Sequence, residues 1–290
     1  MSERENTGQK KEQPSTYFVQ DRQNEHELKR LTIQDHLVTT SMGGVLPEQT
    51  DPAAFRRVLD VGCGIGGWII EAAQTYPEMS LIGVDISNRM IDYAREQARV
   101  QNVAARVEFL VMDALLMLEF PTGFFDLVNM RLGGSFLRTW EWPKLFSEAL
   151  RVARSGGVIR FTETEVVHYS NSPAFMQFFE MFQCALYRSG HLFTEESGGI
   201  VKHLEQLFIQ HGVQQVQTKA HSLQYHAGTA EGQAYIETSR NMFQAIRPFL
   251  QKWGCISKDY DAITQQALRE MEQPDFHVTW NLLTAWGKKL

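Results

Sequence analysis

The sequence predicts an α/β protein whose core is a doubly wound, mostly parallel β-sheet. Two observations carry this prediction. Short apolar runs alternate with amphipathic helical segments through the first half of the chain, and the first run is followed at once by a glycine-rich turn. Alternating strands and helices form a parallel sheet covered on both faces, and right-handed crossovers make it doubly wound.

Two segments are expected to precede the sheet. Residues 1–16 are charged and polar without a hydrophobic period, which predicts a disordered tail. Residues 17–54 predict an N-terminal helical segment whose apolar positions begin to repeat after Asn24. Gly43 and Gly44 are expected to end this helix, since glycine adopts the left-handed conformation readily.

Residues 55–165 predict the core of the sheet, in which strands and helices alternate. Ser87 or Asn88 is a suitable N-cap for the second helix, and Pro143 suits the first turn of the third. Gly156 and Gly157 are expected to close that third helix. The predicted strands are Arg57–Val61, Leu81–Asp85, Val107–Val111, Phe125–Met130 and Val158–Thr162, and the helices are Gly67–Thr75, a helix that starts near Ser87, and Trp142–Ala153.

The strand and helix alternation breaks after Thr164. Residues 166–200 predict a helical cap, and residues 201–290 complete the sheet, with a helical insertion at about residues 229–273. Pro248 is expected to kink or split the first helix of that insertion. The last strand is expected to be the antiparallel one in a sheet of seven. The predicted elements are helices Pro173–Ser189, Val201–His211, Ala230–Trp253 and Lys258–Glu272, and strands Val213–Ala220 and Phe276–Trp286.

Composition limits the function classes. The formal net charge is −6 and the pI is about 5.9, which disfavours nucleic acid as a partner. Cys63, Cys184 and Cys255 are too few, and too widely spaced, for a disulfide framework or a structural zinc site, so we expect neither. No signal peptide or membrane-length apolar run is present, which predicts a soluble, cytoplasmic protein without a membrane partner. We expect no metal.

The run from Val58 to Gly67 indicates a nucleotide-like site. Glycines after a strand let the backbone turn sharply and approach a ligand, and in open parallel sheets ligands bind beyond the carboxyl ends of the strands. Gly62, Gly64 and Gly67 also satisfy the dinucleotide pattern G-x-G-x-x-G, with Asp85 placed as a ribose-binding acid. A nicotinamide-dependent oxidoreductase therefore stays open on this motif alone.

The glycine loop and the acid after the second strand belong to a wider set of motifs. Asp60-Val61-Gly62-Cys63-Gly64-Ile65-Gly66 resembles the first motif of the class I S-adenosylmethionine-dependent methyltransferases, a family with a Rossmann-like sheet, and Asp85 resembles the acid after the second strand in that family. The resemblance is close over about residues 55–164 and loose elsewhere. Its other carriers are Met112-Asp113-Ala114, Phe125-Asp126-Leu127-Val128, Arg151-Val152-Ala153-Arg154-Ser155-Gly156-Gly157 and Ala285-Trp286-Gly287-Lys288-Lys289, with Ser155 where proline is common.

The resemblance implies S-adenosylmethionine as the cofactor and assigns residues to it. Asp85 would accept hydrogen bonds from both ribose hydroxyls, Asp113 would face the adenine amino group, and Asp60 would attract the ammonium group or orient the loop. A structural role stays open for each of these acids. The cofactor-binding residues predicted in this way are Asp60, Gly62, Cys63, Gly64, Gly66, Asp85, Ile86, Met112, Asp113, Ala114 and Asn129.

Catalytic residues are harder to assign, because methyl transfer from a sulfonium needs mainly alignment and exclusion of water. A general base is required only if the acceptor must lose a proton. A phenylalanine stripe with helical spacing, Phe175, Phe178, Phe179 and Phe182, either walls a substrate pocket or packs a core. The candidate catalytic groups are His36, Arg131, Glu163 and His191, with Glu165, His168 and His226 as further possibilities and a structural role open for each.

The sequence thus predicts a methyltransferase that acts on a small molecule, with an apolar or aromatic acceptor as one option. The wider pattern resembles bacterial methyltransferases of secondary metabolism. The fourth strand leads into Asn129-Met130-Arg131-Leu132 and lacks the N/D-P-P-Y/F run that holds a flipped base, which again disfavours DNA and RNA. A regulatory or repurposed S-adenosylmethionine-binding protein stays open as an alternative, and so does a homo-oligomer.

Overall fold

The computed structural model describes residues 15–19, 25–196 and 198–290. Eight strands and eight α-helices make up the described part of the chain. The strands are β1 Arg57–Val61, β2 Ser80–Asp85, β3 Val107–Val111, β4 Phe125–Arg131, β5 Ala153–Thr164, β6 Tyr169–Ser170, β7 Gln214–His226 and β8 His277–Lys288. The helices are α1 Glu25–Met42, α2 Gly67–Thr75, α3 Asn88–Val100, α4 Trp142–Val152, α5 Pro173–Arg188, α6 Val201–Gln210, α7 Ala230–Lys252 and α8 Tyr260–Met271.

The strands form one mixed sheet. Its parallel part runs in the order β3-β2-β1-β4-β5, and β8 pairs antiparallel with β5 on one edge and with β7 on the other. The predicted doubly wound sheet with an antiparallel last strand is confirmed. The sheet has eight strands instead of seven because the two residues of β6 pair with Thr279 and Val278 near the start of β8.

One local prediction was wrong, and one of the two alternatives for Pro248 is excluded. Gly156 and Gly157 do not close a helix but lie inside β5, where the pairing of β4 with β5 is irregular between Phe125 and Leu127. A Cβ atom at Gly157 would lie 2.8 Å from the carbonyl oxygen of Arg154 in the same strand and 3.1 Å from that of Phe125 on β4, so backbone crowding within β5 and against β4 explains the glycine. Pro248 does not split α7, because Phe249 and Leu250 beyond it are buried and keep that end of the helix packed.

Four helices, α1, α5, α7 and α8, form a cap. Of these, only α5 lies within residues 166–200, where a helical cap was predicted. Helix α1 packs against α7, and α5 packs against α8. The segment 15–19 joins the cap through Phe18, whose ring centroid lies 5.4 Å from that of Phe182 and 6.3 Å from that of Phe249. Residues 1–14 of the predicted tail lie outside the described residues, whereas Thr16 donates a hydrogen bond to the carbonyl oxygen of Phe136.

Two of the three cysteines are paired, which the sequence analysis did not predict. Cys184 of α5 and Cys255 after α7 form a disulfide that closes a loop of 71 residues, and Cys63 is free. A sparse cysteine count excludes a framework of several disulfides but not a single bond between helices that the fold brings together. Across the described residues, no helix has both the length and the apolar character needed to cross a membrane.

Candidate active site

A cavity of about 580 Å³ lies beyond the carboxyl ends of the parallel strands and is covered by the cap. Its size is within the range of roughly 300–1,000 Å³ typical of small-molecule sites. One part is lined by the loops after β1, β2 and β3, and the other by α1, α5, β8 and the segment after β5. The loops and the cap therefore line one continuous cavity.

The glycine loop after β1 has three residues with positive φ, namely Gly62 at +68°, Gly64 at +52° and Gly66 at +77°. A Cβ atom at Gly62 would lie 2.7 Å from the ring of Phe136, and one at Gly66 would lie 2.6 Å from the ring of Phe109. A Cβ atom at Gly64 would meet no described atom within 4 Å. Packing thus explains Gly62 and Gly66, while Gly64 faces open space along the cavity.

Two carboxylates that follow neighbouring strands line the same part of the cavity. Asp85 accepts hydrogen bonds from the backbone N–H of Gly64 at 3.0 Å and of Ser87 at 2.8 Å. Asp113 accepts one from the N–H of Leu115 at 2.8 Å. Each carboxylate oxygen has more than one lone pair, so both side chains brace their loops and can still accept hydrogen bonds from a ligand.

Asp60 lies at the end of a buried polar chain below the cavity. Asn129 donates to Asp60 at 2.7 Å, and Arg160 donates to Asn129 at 2.8 Å. Arg160 is also paired with Glu48 at 2.7 Å, both side chains being about 1% exposed. Burial raises the pKa of Asp60 to about 7, although Arg131 and the Asn129 hydrogen bond act in the opposite direction.

Arg131 and Glu163, two of the predicted catalytic candidates, line the cavity. Arg131 forms an ion pair with Asp35 of α1 and donates to the Thr39 hydroxyl at 2.9 Å. Glu163 accepts hydrogen bonds from the N–H groups of Gly133 at 2.6 Å and Gly134 at 3.1 Å. Burial raises the pKa of Glu163 to about 8, against the effect of those two hydrogen bonds.

The other two candidates lie elsewhere. His36 lines a separate depression between α1, α2 and α3. His191 is buried, and its ring nitrogens contact the Ser189 hydroxyl at 2.7 Å and the Thr16 carbonyl oxygen at 3.0 Å. These contacts tie the segment 15–19 to the end of α5, which is a structural role.

Most of the predicted cofactor-binding residues line the cavity, but two of them do not. Asn129 has no exposed surface and lies beneath Asp60, and Gly66 packs against Phe109; neither is among the cavity-lining residues. The predicted residues that do line the cavity are Asp60, Gly62, Cys63, Gly64, Asp85, Ile86, Met112, Asp113 and Ala114.

The part of the cavity under the cap is mostly apolar, and we call it the acceptor chamber. Of the phenylalanine stripe on α5, Phe179 and Phe182 line it, whereas Phe175 and Phe178 pack in the core. Sequence reasoning missed Met242 and Trp280, because apolar residues on α7 and β8 carry no signal of facing a cavity. The acceptor chamber is defined by His168, Phe179, Phe182, Leu186, Met242 and Trp280.

Comparison with known proteins places the glycine loop in a family. Residues 58–157, which run from β1 into β5, match the family model described as a methyltransferase domain. This segment is therefore similar to a methyltransferase domain, in agreement with the sequence resemblance to class I methyltransferases. The methyl donor of this class is S-adenosylmethionine, and the fold and the cavity agree with that cofactor.

Curated relatives of the methyltransferase domain act on unlike molecules. Ajmaline N-methyltransferase of Rauvolfia serpentina is 39% identical over 104 residues, which are 36% of this chain and 34% of that protein. Geranyl diphosphate 2-C-methyltransferase of Saccharopolyspora erythraea is 34% identical over 134 residues, 45% of this chain and 42% of that protein. The chain therefore spans less than half of the length of either relative.

Solved structures share the fold over nearly the whole chain. Phosphoethanolamine N-methyltransferase 2 of Haemonchus contortus, crystallised with S-adenosyl-L-methionine, has a TM-score of 0.54 and 23% identity, covering 94% of this chain and 59% of that one. The [4+2]-cyclase SpnF has a TM-score of 0.53 and 16% identity, covering 97% of this chain and 100% of that one. At these identities the likeness shows the fold alone.

Proposed function

We propose that the protein transfers a methyl group from S-adenosylmethionine to an apolar or aromatic small molecule. One observation carries the proposal: a single cavity joins the loops of the methyltransferase domain to the acceptor chamber under the cap. A donor held by the loops and an acceptor held in the chamber would share this one cavity. Neither a nucleic acid nor a membrane is part of the proposal.

The residues that would hold the cofactor fit its chemistry. Asp85 would accept hydrogen bonds from the ribose hydroxyls, and Asp113 would accept one from the adenine amino group. Asp60 would face the ammonium group, which would favour the charged form of this carboxyl and oppose the effect of burial on its pKa. Gly64 leaves open space where any side chain would intrude.

The chain supports methyl transfer mainly by positioning. Bound S-adenosylmethionine supplies a methyl group that its sulfonium has already activated, so alignment and exclusion of water are the remaining tasks. The cap provides the exclusion, because α1, α5 and α7 all contribute side chains to the cavity wall. Both carboxylate oxygens of Glu163 accept hydrogen bonds from the N–H groups of Gly133 and Gly134, so we assign Glu163 the structural role of stabilising the turn after β4.

We propose that the protein acts in secondary metabolism. Its cytoplasmic location remains a prediction from the sequence. By their names, one of these two relatives methylates nitrogen and the other carbon, so they do not indicate which atom is methylated here.

Calorimetry with S-adenosylhomocysteine and, separately, with NAD tests the cofactor assignment. We expect S-adenosylhomocysteine to bind and NAD not to bind. Transfer of a labelled methyl group to a panel of apolar aromatic acceptors then tests the reaction. Binding of NAD alone would overturn the proposal, and binding of S-adenosylhomocysteine without transfer to any acceptor would favour a repurposed, non-methylating protein.

A further inference from the structure

His168 is an unusual residue of the acceptor chamber because it places a polar ring among apolar side chains. Its ring stacks on Trp280, with centroids 4.5 Å apart, and lies 4.7 Å from the ring of Phe179. Its Nδ1 atom lies 2.5 Å from the phenol oxygen of Tyr235 on α7. Three aromatic neighbours on three elements therefore fix the orientation of this imidazole.

Other polar groups close to His168 already have partners. The hydroxyl of Thr164 accepts a hydrogen bond from the Trp280 indole N–H, and the carboxylate of Glu165 accepts one from Asn281 at 2.9 Å. For the Nε2 atom of His168, by contrast, the part of the chain that the structure describes provides no hydrogen-bond partner. Since His168 lines the cavity, Nε2 is available to a ligand there.

The Tyr235 contact indicates which ring nitrogen carries the hydrogen. Burial lowers the pKa of His168 to about 3, so its ring is neutral and has one N–H group and one lone pair. Burial also raises the pKa of Tyr235 well above its ordinary value, so the phenol keeps its hydrogen. Ser239 opposes this rise in the pKa of Tyr235, but its hydroxyl donates to the Tyr235 main-chain carbonyl oxygen at 3.0 Å, so Nδ1 at 2.5 Å is the closest acceptor for the phenol hydrogen. A phenol that donates to Nδ1 requires the imidazole hydrogen to be on Nε2.

We infer that the Nε2–H group of His168 orients the methyl acceptor, and that the acceptor is an apolar, planar molecule with a carbonyl or enolate oxygen. The inference rests on the proposed function and names the substrate class of the same cavity. An N–H donor in an apolar chamber selects a ligand with an oxygen acceptor, because a ligand without one leaves the donor unpaired. The same donor disfavours a cationic amine, and it cannot remove a proton from the acceptor.

The first test determines the tautomer in the full chain with ¹⁵N-labelled histidine and NMR. We assign the His168 signals by their loss in His168→Phe. We expect the Nε2–H tautomer without titration between pH 5 and 8, and a mixture of tautomers in Tyr235→Phe. A dominant Nδ1–H tautomer, or titration within that pH range, would overturn the inference.

The second test compares binding of 2-acetylnaphthalene and 2-ethylnaphthalene to the protein saturated with S-adenosylhomocysteine. These probes have similar shapes, but only the ketone accepts a hydrogen bond. We expect the wild type to favour the ketone by about fivefold to tenfold, the scale of one neutral hydrogen bond. His168→Phe should bind both probes equally, whereas His226→Phe, at an exposed position on β7, should keep the preference.

Three results would overturn the inference: no preference in the wild type, a preference that survives in His168→Phe, or failure of both probes to bind. Tighter binding of 2-(2-naphthyl)ethylammonium than of the ketone would do so too, because it would indicate a site for cations. Affinity for S-adenosylhomocysteine is measured in each variant and should not change. A wild type that does not bind S-adenosylhomocysteine would instead refute the proposed function.

Discussion

Among single residues, Asp85 uses one carboxylate both to hold its loop and, in the proposed site, to bind the cofactor. It accepts backbone hydrogen bonds from Gly64 and Ser87, and in the proposed site it also accepts the ribose hydroxyls. Its position at the end of β2 lets it do both, since it lies between the glycine loop and the start of α3. Loss of its charge should therefore weaken ligand binding more than folding.

We expect Asp85→Asn to weaken binding of S-adenosylhomocysteine by about 1.5–3 kcal/mol, the scale of hydrogen bonds to a charged group. Isothermal titration calorimetry measures this change. Asp92→Asn is the matched control, because the Asp92 side chain is 72% exposed on α3. An unchanged dissociation constant in Asp85→Asn would refute the ribose assignment.

Glu163 makes stability depend on pH. Its pKa rises from about 4.5 to about 8 on folding, mainly because of burial, so between these values the folded state binds more protons than the unfolded state. The free energy of unfolding therefore includes a contribution from Glu163 that is present below about pH 4.5 and is lost as the pH rises through 8.

We expect Glu163→Gln to gain stability relative to the wild type, by roughly 1 kcal/mol or more, as the pH rises from 5 to 9. Urea unfolding at a series of pH values gives this difference. Glu205→Gln, at an exposed position on α6, should show no such trend. If the difference between Glu163→Gln and the wild type stays constant with pH, the raised pKa is refuted.

On the scale of elements, α5 connects the cap to the acceptor chamber. One face packs Phe175 and Phe178 in the core, while Phe179 and Phe182 line the cavity. The disulfide from Cys184 fixes this helix to the segment after α7, and Arg188 adds hydrogen bonds to carbonyl oxygens of that segment. The cap should therefore lose stability when the disulfide is removed.

The double variant Cys184→Ser/Cys255→Ser should be about 2–4 kcal/mol less stable than the oxidised wild type, because the disulfide restricts the unfolded chain. Urea unfolding without reductant measures this loss. Adding reductant should lower the stability of the wild type and leave the double variant unchanged. Equal stability of the two proteins under oxidising conditions would show that the disulfide does not contribute.

On the scale of the whole molecule, the buried chain from Glu48 to Asp60 joins distant segments. Glu48 precedes β1, Arg160 lies on β5 and Asn129 lies on β4, so the chain crosses the centre of the sheet. Burial alone would raise the pKa of Glu48, but Arg160 lowers it below the ordinary value, which indicates a charged pair. Removal of one partner would leave the other charge buried and unpaired.

Arg160→Met should therefore reduce the free energy of unfolding by about 3–5 kcal/mol, because Glu48 is left without its partner. The double variant Glu48→Gln/Arg160→Met should recover part of that loss, since it removes both charges. Urea unfolding of the wild type, both single variants and the double variant completes the cycle. A loss below about 1 kcal/mol in Arg160→Met would contradict a paired, desolvated charge.

The parallel strands and the glycine loop could be predicted from the sequence, because they follow from local patterns of hydrophobicity and backbone freedom. The bounds of β1, β3 and α2 agree with the sequence prediction residue for residue. Gly156 lies in a strand and Pro248 does not split its helix, because strand pairing and helix packing outweighed local preference.

The cavity wall opposite the loops after β1, β2 and β3 could be identified only from the folded chain. His168 and Tyr235 are 67 residues apart, and Cys184 and Cys255 are 71 apart, so no local pattern could pair them. The acceptor chamber likewise draws its wall from α5, α7, β8 and the segment after β5. Such contacts depend on how the cap folds back over the sheet, and that is a property of packing between segments far apart in the chain.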